Sequence, residues 1–149
     1  KLNVILFVFR PFESDIKNWI KKVKDNVETV VVETRFECSD RIINSTPVYT
    51  GYARGNWQAS IGQPILSEVT RYDREAGFAP TSGRGIAFDE AEDTEKKDVD
   101  KDFYLTNNAE YIRNLEFYGG SKQAPHGMVR ITIADFQNIV DKAIRNNKK

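Results

Sequence analysis

Apolar residues recur at intervals of three and four along residues 16–42, a spacing that places them on one face of an α-helix. Residues 30–32, all valine, favour a strand by themselves, but the stripe passes through them without a change of phase, so we predict helix. Ser14 is the predicted N-cap, and Pro47 ends the helix near Ser45, because proline disfavours helix at the residue before it. The helix holds about 30 residues and measures about 45 Å. Its apolar face consists of Ile16, Trp19, Ile20, Val23, Val27, Val30, Val31, Thr34, Cys38 and Ile42.

The hydrophobic pattern changes after Pro47, where short apolar runs replace the helical stripe. Residues 56–61 and 65–70 are typical of two strands separated by a turn at residues 62–64, and residues 103–107 predict a third strand. We therefore expect a small antiparallel sheet in the middle of the chain.

Two helices are predicted towards the C-terminus. Residues 108–116 favour a short helix, and residues 119–127 a turn-rich loop. Residues 129–133 alternate as in a strand, yet a helical stripe passes through them, and we predict one helix from residues 125–128 to Asn146. The inward-facing residues are expected to be Tyr111, Ile112 and Leu115 in the short helix, and Val129, Ile133, Phe136, Ile139, Val140, Ala143 and Ile144 in the long one.

These elements predict an α+β fold of one domain spanning residues 1–149. It has a long N-terminal helix, a small antiparallel β-sheet and a C-terminal helix packed on the sheet. Helix-on-sheet layering buries both apolar stripes around one core, and a chain of 149 residues has the usual size of a single domain.

The longest polar segment spans residues 72–102, which we predict to be a long mobile loop. Its second part, residues 89–102, holds eight acidic residues and three lysines, so it cannot bury enough apolar surface to become ordered. Loops of this length in a compact domain are usually functional or disordered.

Residues 1–10 contain the apolar run Leu2–Phe9. The run is shorter than the roughly 20 residues that span a bilayer and lacks the features of a signal peptide, so we expect no membrane association. A short strand ended by Arg10 and Pro11 is one interpretation. The other is an arm that packs onto a neighbouring subunit, since a lone chain would struggle to cover such a run.

The charges of the chain balance, with 22 Lys and Arg against 22 Asp and Glu. Proteins that bind nucleic acid by neutralising phosphates normally carry a basic excess, so the composition argues against that class. Cys38 is the single cysteine, which excludes an internal disulfide and fits a reducing compartment. We expect Cys38 to be a small buried residue on the long helix.

The sequence predicts no catalytic, cofactor or metal site. His126 is the only histidine, so the ligands for zinc are missing, and we expect it in the turn before the last helix. Residues 83–85 lack the Lys-Ser/Thr that follows in a phosphate-binding loop. The acids of residues 89–102 lack the alternating pattern of a calcium loop. We therefore predict a protein that is not an enzyme and has no cofactor.

Glu116 stands between Leu115 and Phe117, so its carboxylate is expected near apolar surface and in need of a partner. A pair with Arg54 is our working hypothesis. The cationic candidates are Arg54, Arg113, Lys122 and Arg130.

Residues 45–60 join the long helix to the predicted sheet and concentrate unusual residues in a short span. Two glycines permit backbone conformations that other residues adopt only at a cost. An arginine can stack on a ring or fork onto a carboxylate, and three aromatic residues suit a half-buried surface or a subunit contact. These residues are Gly51, Gly55, Arg54, Tyr49, Tyr52 and Trp57.

The segment Thr46–Trp57, TPVYTGYARGNW, resembles the TPVdTGraRgnW segment of the head–tail joining proteins of tailed phages, also called tail-completion, neck or minor tail proteins. A second segment, Tyr104–Arg130, resembles the family's y.tNnapYa..lEyG.skqaP.gmvr region in the pieces YLTNNAEY, LEFYG, SKQAP and GMVR. The two segments keep the family's order and cover roughly a third of the chain. The chain departs from the pattern at Tyr49, Tyr52 and Glu110 and by an inserted Phe117.

The resemblance implies a structural protein of the virion neck, assembled in the host cytoplasm. Six copies are expected to form a ring that joins or completes the tail at the head connector. The ring contacts the connector and tail-tube proteins and lets DNA pass without sequence-specific contacts. The hypothesised subunit or partner interface consists of Tyr49, Arg54, Trp57, Glu116, Lys122, Met128 and Arg130. The hypothesised channel wall, where negative charge repels phosphates, consists of Asp89, Glu90, Glu92, Asp93, Glu95 and Asp98.

An alternative function is that of a small nucleic-acid-binding accessory protein with a basic helical face. The residues of this face are Lys17, Lys21, Lys22, Lys24, Arg145, Lys148 and Lys149. A small hydrolase that uses the carboxylates is a third option, but the chain offers it no acid–base pair at a recognisable spacing.

Overall fold

The computed structural model of the chain describes residues 10–74 and 98–148. Seven elements occur in this part of the chain, and they confirm the predicted α+β class. In chain order they are α1 (Arg10–Ser45), α2 (Tyr52–Gly55), β1 (Trp57–Ile61), β2 (Phe103–Asn107), α3 (Ile112–Phe117), α4 (Val129–Ala134) and α5 (Phe136–Asn146).

Helix α1 extends through residues 30–32, as the apolar periodicity predicted, and it ends at Ser45 two residues before Pro47. Its predicted start was wrong, because the helix begins at Arg10 and Ser14 lies inside it rather than at the N-cap. Pro11 is tolerated in the first turn, where its missing N–H has no intrahelical acceptor to lose. The helix therefore contains 36 residues.

Strands β1 and β2 pair antiparallel, with Ala59 opposite Leu105, and confirm two of the three predicted strands. The third prediction was wrong, because residues 65–70 do not form a strand. Side chains bind their backbone groups instead. The side-chain amide of Asn108 donates to the carbonyl of Ile65 at 3.0 Å, and the N–H of Val69 donates to the Asn56 side chain at 3.0 Å.

The predicted C-terminal helix is divided at Asp135 into α4 and α5. Asp135 leaves helical geometry with φ −99° and ψ 6°, and its carboxylate forms an ion pair with Arg41 of α1. The division also splits the predicted apolar stripe. Ile139 of α5 is buried, whereas Ile133 of α4 is exposed, which corrects its predicted inward position.

The core lies at the C-terminal end of α1, where α1, α2, β1, α3 and the start of α4 meet. Leu115 is buried there as predicted, Ile112 packs against the core from a half-buried position, and Tyr111 is exposed, contrary to the prediction. The buried residues of the cluster are Ile42, Ile43, Ala53, Trp57, Leu115, Ala124 and Met128.

Helix α5 runs back along α1. Its start contacts Arg41 through Asp135, its middle contacts Glu37 through Lys142 at 3.3 Å, and Ile144 near its end faces Val27. Every side chain from residue 14 to residue 27 is exposed. The N-terminal part of α1 therefore projects beyond the packed body of the described chain.

Two predictions fall on residues outside the described part of the chain. They are the strand or arm at residues 1–9 and most of the long loop, residues 75–97. Among the described residues, none of the helices combines the length and the apolar character that crossing a bilayer requires.

Candidate functional site

Thr46 connects the end of α1 to the segment that follows it. Its hydroxyl accepts a hydrogen bond from the indole N–H of Trp57 at 2.8 Å and donates to the carbonyl of Ile42 at 2.7 Å. The carbonyl of Thr46 accepts from the guanidinium of Arg54 at 3.5 Å. Because all these groups are buried, the hydrogen bonds fix the angle at which the chain leaves the helix.

Gly51 and Gly55 allow the backbone of residues 71–73 to lie against α2. A Cβ at Gly55 would stand 2.4 Å from the carbonyl oxygen of Arg71, and one at Gly51 would stand 2.6 Å from the carbonyl of Asp73. Gly51 also has φ +85°, which favours glycine. Arg71 in turn donates to the carbonyls of Gly55 at 2.6 Å and Trp57 at 2.8 Å.

Arg54 is buried, with 6% of its surface exposed. Burial lowers the pKa of its guanidinium, and the nearby carboxylate of Asp73 opposes this shift by favouring the charged form. The side chain is therefore part of the interior of the chain.

Four tyrosines line an open cleft of about 680 Å³ beside α2. The ring of Tyr52 lies 5.3 Å from that of Tyr72 and 6.4 Å from that of Tyr111, within the range of favourable aromatic pairs. A hydrogen bond to Glu68 raises the pKa of Tyr52. Tyr49, the fourth tyrosine of the cleft, has 96% of its surface exposed.

The carboxylate of Glu116 binds the start of α4. One oxygen accepts from the N–H groups of Met128 at 2.8 Å and Val129 at 3.0 Å, and the other accepts from the N–H of Arg130 at 2.9 Å. The guanidinium of Arg130 lies 3.4 Å from the carboxylate and also donates to the Glu116 carbonyl. The structure therefore pairs Glu116 with Arg130, and the hypothesised pair with Arg54 was wrong.

Opposing effects act on the pKa of Glu116. Burial raises the pKa, but the three backbone N–H groups and the charge of Arg130 favour the ionised form and hold the pKa below its ordinary value. Only 7% of Glu116 is exposed. Gly127 makes this approach possible, since a Cβ there would stand 2.5 Å from the Glu116 carbonyl oxygen.

The seven hypothesised interface residues separate into two groups. Arg54, Trp57, Glu116 and Met128 are buried, and contacts within the chain account for their positions. Tyr49, Lys122 and Arg130 reach the surface. The interface role of the seven residues stays a prediction. The guanidinium of Arg130 also covers the half-exposed ring of Phe117 at 5.3 Å.

Only one of the six hypothesised channel residues is described. Asp98 is exposed and forms an ion pair with Lys101 at 3.2 Å, while residues 89–95 lie outside the described chain. His126 occupies an exposed turn before α4, as predicted. Cys38 is half-buried rather than buried.

Sequence reasoning missed several amide side chains that bind backbone groups between distant segments. The Asn107 amide donates to the carbonyl of Ala53 at 2.7 Å, and the Gln123 side chain accepts from the N–H of Val48 at 2.9 Å. Both bonds join the two segments on which the family resemblance rests. The run of asparagines at the end of β2 was the available signal, since asparagine readily binds backbone groups at turns.

The described helices carry an exposed apolar surface. On α1 it begins at Ile16 and includes Trp19, which is 66% exposed. It continues as a groove between α1 and α5, which is lined by Val27, Val30 and Val31 of α1 and by Ile144 of α5. Exposed apolar side chains grouped on one surface are typical of a protein-interaction surface.

The described residues contain no group of three or more His, Cys, Asp or Glu side chains placed to hold a metal ion. Comparison of the chain with family models, with curated proteins and with solved structures found no match in any of the three.

Proposed function

We propose that this chain is a structural protein that assembles with copies of itself into a ring, and that the ring joins or completes the tail of a tailed phage at the head connector. The ring has six copies, contacts the connector and tail-tube proteins, and leaves a channel for DNA. The chain acts by assembly rather than by catalysis. The acidic residues from Asp89 to Asp98 face the channel or a neighbouring ring.

The observation that carries the self-assembly part is the exposed apolar surface of α1 and of the last two helices. Side chains that water would otherwise hydrate unfavourably gain from burial against another protein surface. The exposed members are Ile16, Trp19, Ile20, Val23, Val27, Ile131, Ile133, Phe136 and Ile144.

The small sheet gives further support. Residues beside Ser67 and Arg71 cover the outer edge of β1, because Gln58 donates to the Ser67 carbonyl at 2.8 Å and Arg71 donates to the Trp57 carbonyl. Among the described residues the sheet has two strands, so the outer edge of β2 has no strand partner there. An open edge pairs readily with a strand from another chain.

The phage role itself rests on the resemblance. Its two segments are about 50 residues apart in the sequence, yet they share one core cluster through Trp57 and Met128 and are joined by the bond between Val48 and Gln123. A motif whose parts form one packed unit is a better guide to relatedness than two isolated matches.

The mass of the purified protein tests the assembly. Six copies of the 17.1-kDa chain give about 103 kDa in a closed ring. Trp19→Ser removes an exposed ring from the apolar surface and is expected to lower the oligomer fraction, while Lys22→Ser, on the polar side of the same helix, leaves it unchanged. Imaging of phage particles then locates the ring. A protein that stays monomeric at all concentrations, or is absent from virions, contradicts the proposal.

A second candidate function, nucleic-acid binding, draws on one structural observation. Lys148, just after α5, lines the same groove as Val23 and Val27 of α1, the helix that carries Lys24. Binding to DNA that weakens steeply with salt would support this function. Absence of binding at low salt removes it.

A further inference from the structure

The groove between α1 and α5 has two adjoining halves. The first half extends along α1 from Val23 to Val31, and the second continues from Val30 to Cys38. We call the second half the distal groove. It encloses about 420 Å³, and its lining consists of Val30, Val31, Thr34, Arg35, Cys38, Phe103, Phe136 and Val140.

The distal groove is open in the described part of the chain. Phe136 in its wall is 48% exposed, and the rest of the wall is predominantly aliphatic or aromatic. Arg35 is its one charged residue, and its guanidinium lies over the ring of Phe103 at 5.4 Å. Such a wall favours an uncharged apolar segment as its occupant.

We propose that residues 2–9 of a second copy of this chain occupy the distal groove. The segment reads Leu-Asn-Val-Ile-Leu-Phe-Val-Phe, with one polar residue and no charge. If they continue the helical rise of α1, eight residues measure about 12 Å. The distal groove follows α1 from Val30 to Cys38, a rise of about 12 Å, so the segment is long enough to cover it.

The segment of the same copy cannot fill this groove, because it is attached at the wrong end of α1. Cys38 lies 28 residues along the helix from Arg10, which is about 42 Å at the helical rise. Nine fully extended residues reach about 32 Å at most. A second copy is therefore needed to place residues 2–9 beside Cys38.

The exposed stripe of α1 provides the approach for that second copy. Ile16, Ile20, Val23 and Val27 follow one another at intervals of four, three and four, the spacing of a coiled-coil seam. If two α1 helices pack antiparallel, with Ile20 facing Val23 and Ile16 facing Val27, Phe9 of one copy is opposite Thr34 of the other. If residues 2–9 continue the helical register of α1, residue 5 is opposite Cys38, inside the distal groove.

Cys38 makes this arrangement measurable, because it is the only cysteine of the chain. Ile5→Cys is expected to give a disulfide-linked dimer of about 34 kDa, twice the 17.1-kDa chain, under mild oxidation with diamide. The dimer should disappear in Ile5→Cys combined with Cys38→Ser. Lys22→Cys, on the exposed polar side of α1, is the matched control and should give little dimer with Cys38.

The unmodified protein provides a second measurement, whose concentration dependence cannot be confounded by misfolding of a variant. The rate at which Cys38 is alkylated should fall at least tenfold as the protein concentration rises, and deletion of residues 2–9 should abolish this protection. An internal link between residues 5 and 38, equal linking by Lys22→Cys, or protection that is independent of concentration overturns the proposal.

The inference rests on the self-association part of the proposed function. An antiparallel pair of α1 helices is two-fold symmetric, so a ring of six that contains it consists of three such pairs. The two proposals fail separately. Rings that persist after deletion of residues 2–9, without any link from residue 5 to Cys38, would refute the inference and leave the ring intact. A clear link in a protein that forms dimers and never rings would support the inference and refute the ring.

Discussion

The hydrogen bonds between Glu116 and the start of α4 allow a quantitative prediction. In Glu116→Gln, an amide NH₂ replaces one of the two carboxylate oxygens. The amide can be oriented so that its oxygen keeps two of the three backbone hydrogen bonds, those from the N–H groups of Met128 and Val129. The NH₂ then faces the N–H of Arg130, which loses its acceptor, and the ion pair with the Arg130 guanidinium is lost as well.

The cost follows from the number of bonds affected. Loss of one charge-assisted hydrogen bond costs about 1.5–3 kcal/mol. The other two bonds persist without the charge, which weakens them by about 1 kcal/mol together. We therefore expect Glu116→Gln to lower the free energy of unfolding by about 3 kcal/mol. Glu110→Gln removes an exposed carboxylate just before α3, the helix that carries Glu116. It should change the free energy of unfolding by less than about 0.5 kcal/mol.

Urea denaturation at neutral pH measures both values. The fluorescence of Trp57 is a suitable signal, because its indole is buried against Thr46. Trp19→Phe removes the exposed second tryptophan and serves as the common background. If Glu116→Gln and Glu110→Gln have the same stability within error, the carboxylate does not hold α4 in the way described.

The pH dependence gives an independent check. The pKa of Glu116 in the folded chain is held below its ordinary value of 4.5, because the backbone N–H groups and Arg130 outweigh burial. Its ionised form therefore contributes stability that is present above about pH 4.5 and is lost as the pH falls through the folded-state pKa. The stability difference between wild type and Glu116→Gln should shrink as the pH falls below 4.5. A difference that stays constant down to acid unfolding contradicts the assignment.

Two further predictions concern the segment after α1. Gly55→Ala should lower the free energy of unfolding by more than about 2 kcal/mol, because its Cβ would stand 2.4 Å from the Arg71 carbonyl oxygen. Gly62→Ala, whose Cβ would have no atom within 4 Å, should lose about 1 kcal/mol from its positive φ alone. Equal losses in thermal or urea unfolding would show that the close approach is absent. Thr46→Val removes the acceptor of the Trp57 indole N–H and should cost about 1–3 kcal/mol; an unchanged urea midpoint and an unchanged Trp57 emission maximum would contradict this.

The helical stripe from Ile16 to Ile42 was sufficient to predict α1, even through the valines at residues 30–32. Helical periodicity is a property of sequence order, so no tertiary information was needed. The same reasoning gave the wrong result for residues 65–70, where asparagine side chains compete for the backbone groups that a strand would use. Local pattern does not reveal such competition, because Asn56 and Asn108 lie far from these residues in the sequence.

The candidate site likewise combines a feature that the sequence predicted with one that only the tertiary structure decided. The sequence identified Glu116 as a carboxylate that needs a partner, because it stands between apolar neighbours. It could not choose among four cations, and the hypothesis selected Arg54. The partner is Arg130, since the turn at Gly127 brings the start of α4 over the carboxylate, and only the packed chain determines that geometry.

The sequence by itself determined the class of the fold, the end of the long helix and its course through residues 30–32, and the positions of β1 and β2, because these depend on residue spacing and on proline and glycine. The tertiary structure decided which side chains are buried and which remain exposed. It placed Trp57 and Met128 inside and left Trp19 and Phe136 in contact with water, because burial depends on which elements pack together, and a stripe on one helix does not specify the surface that covers it.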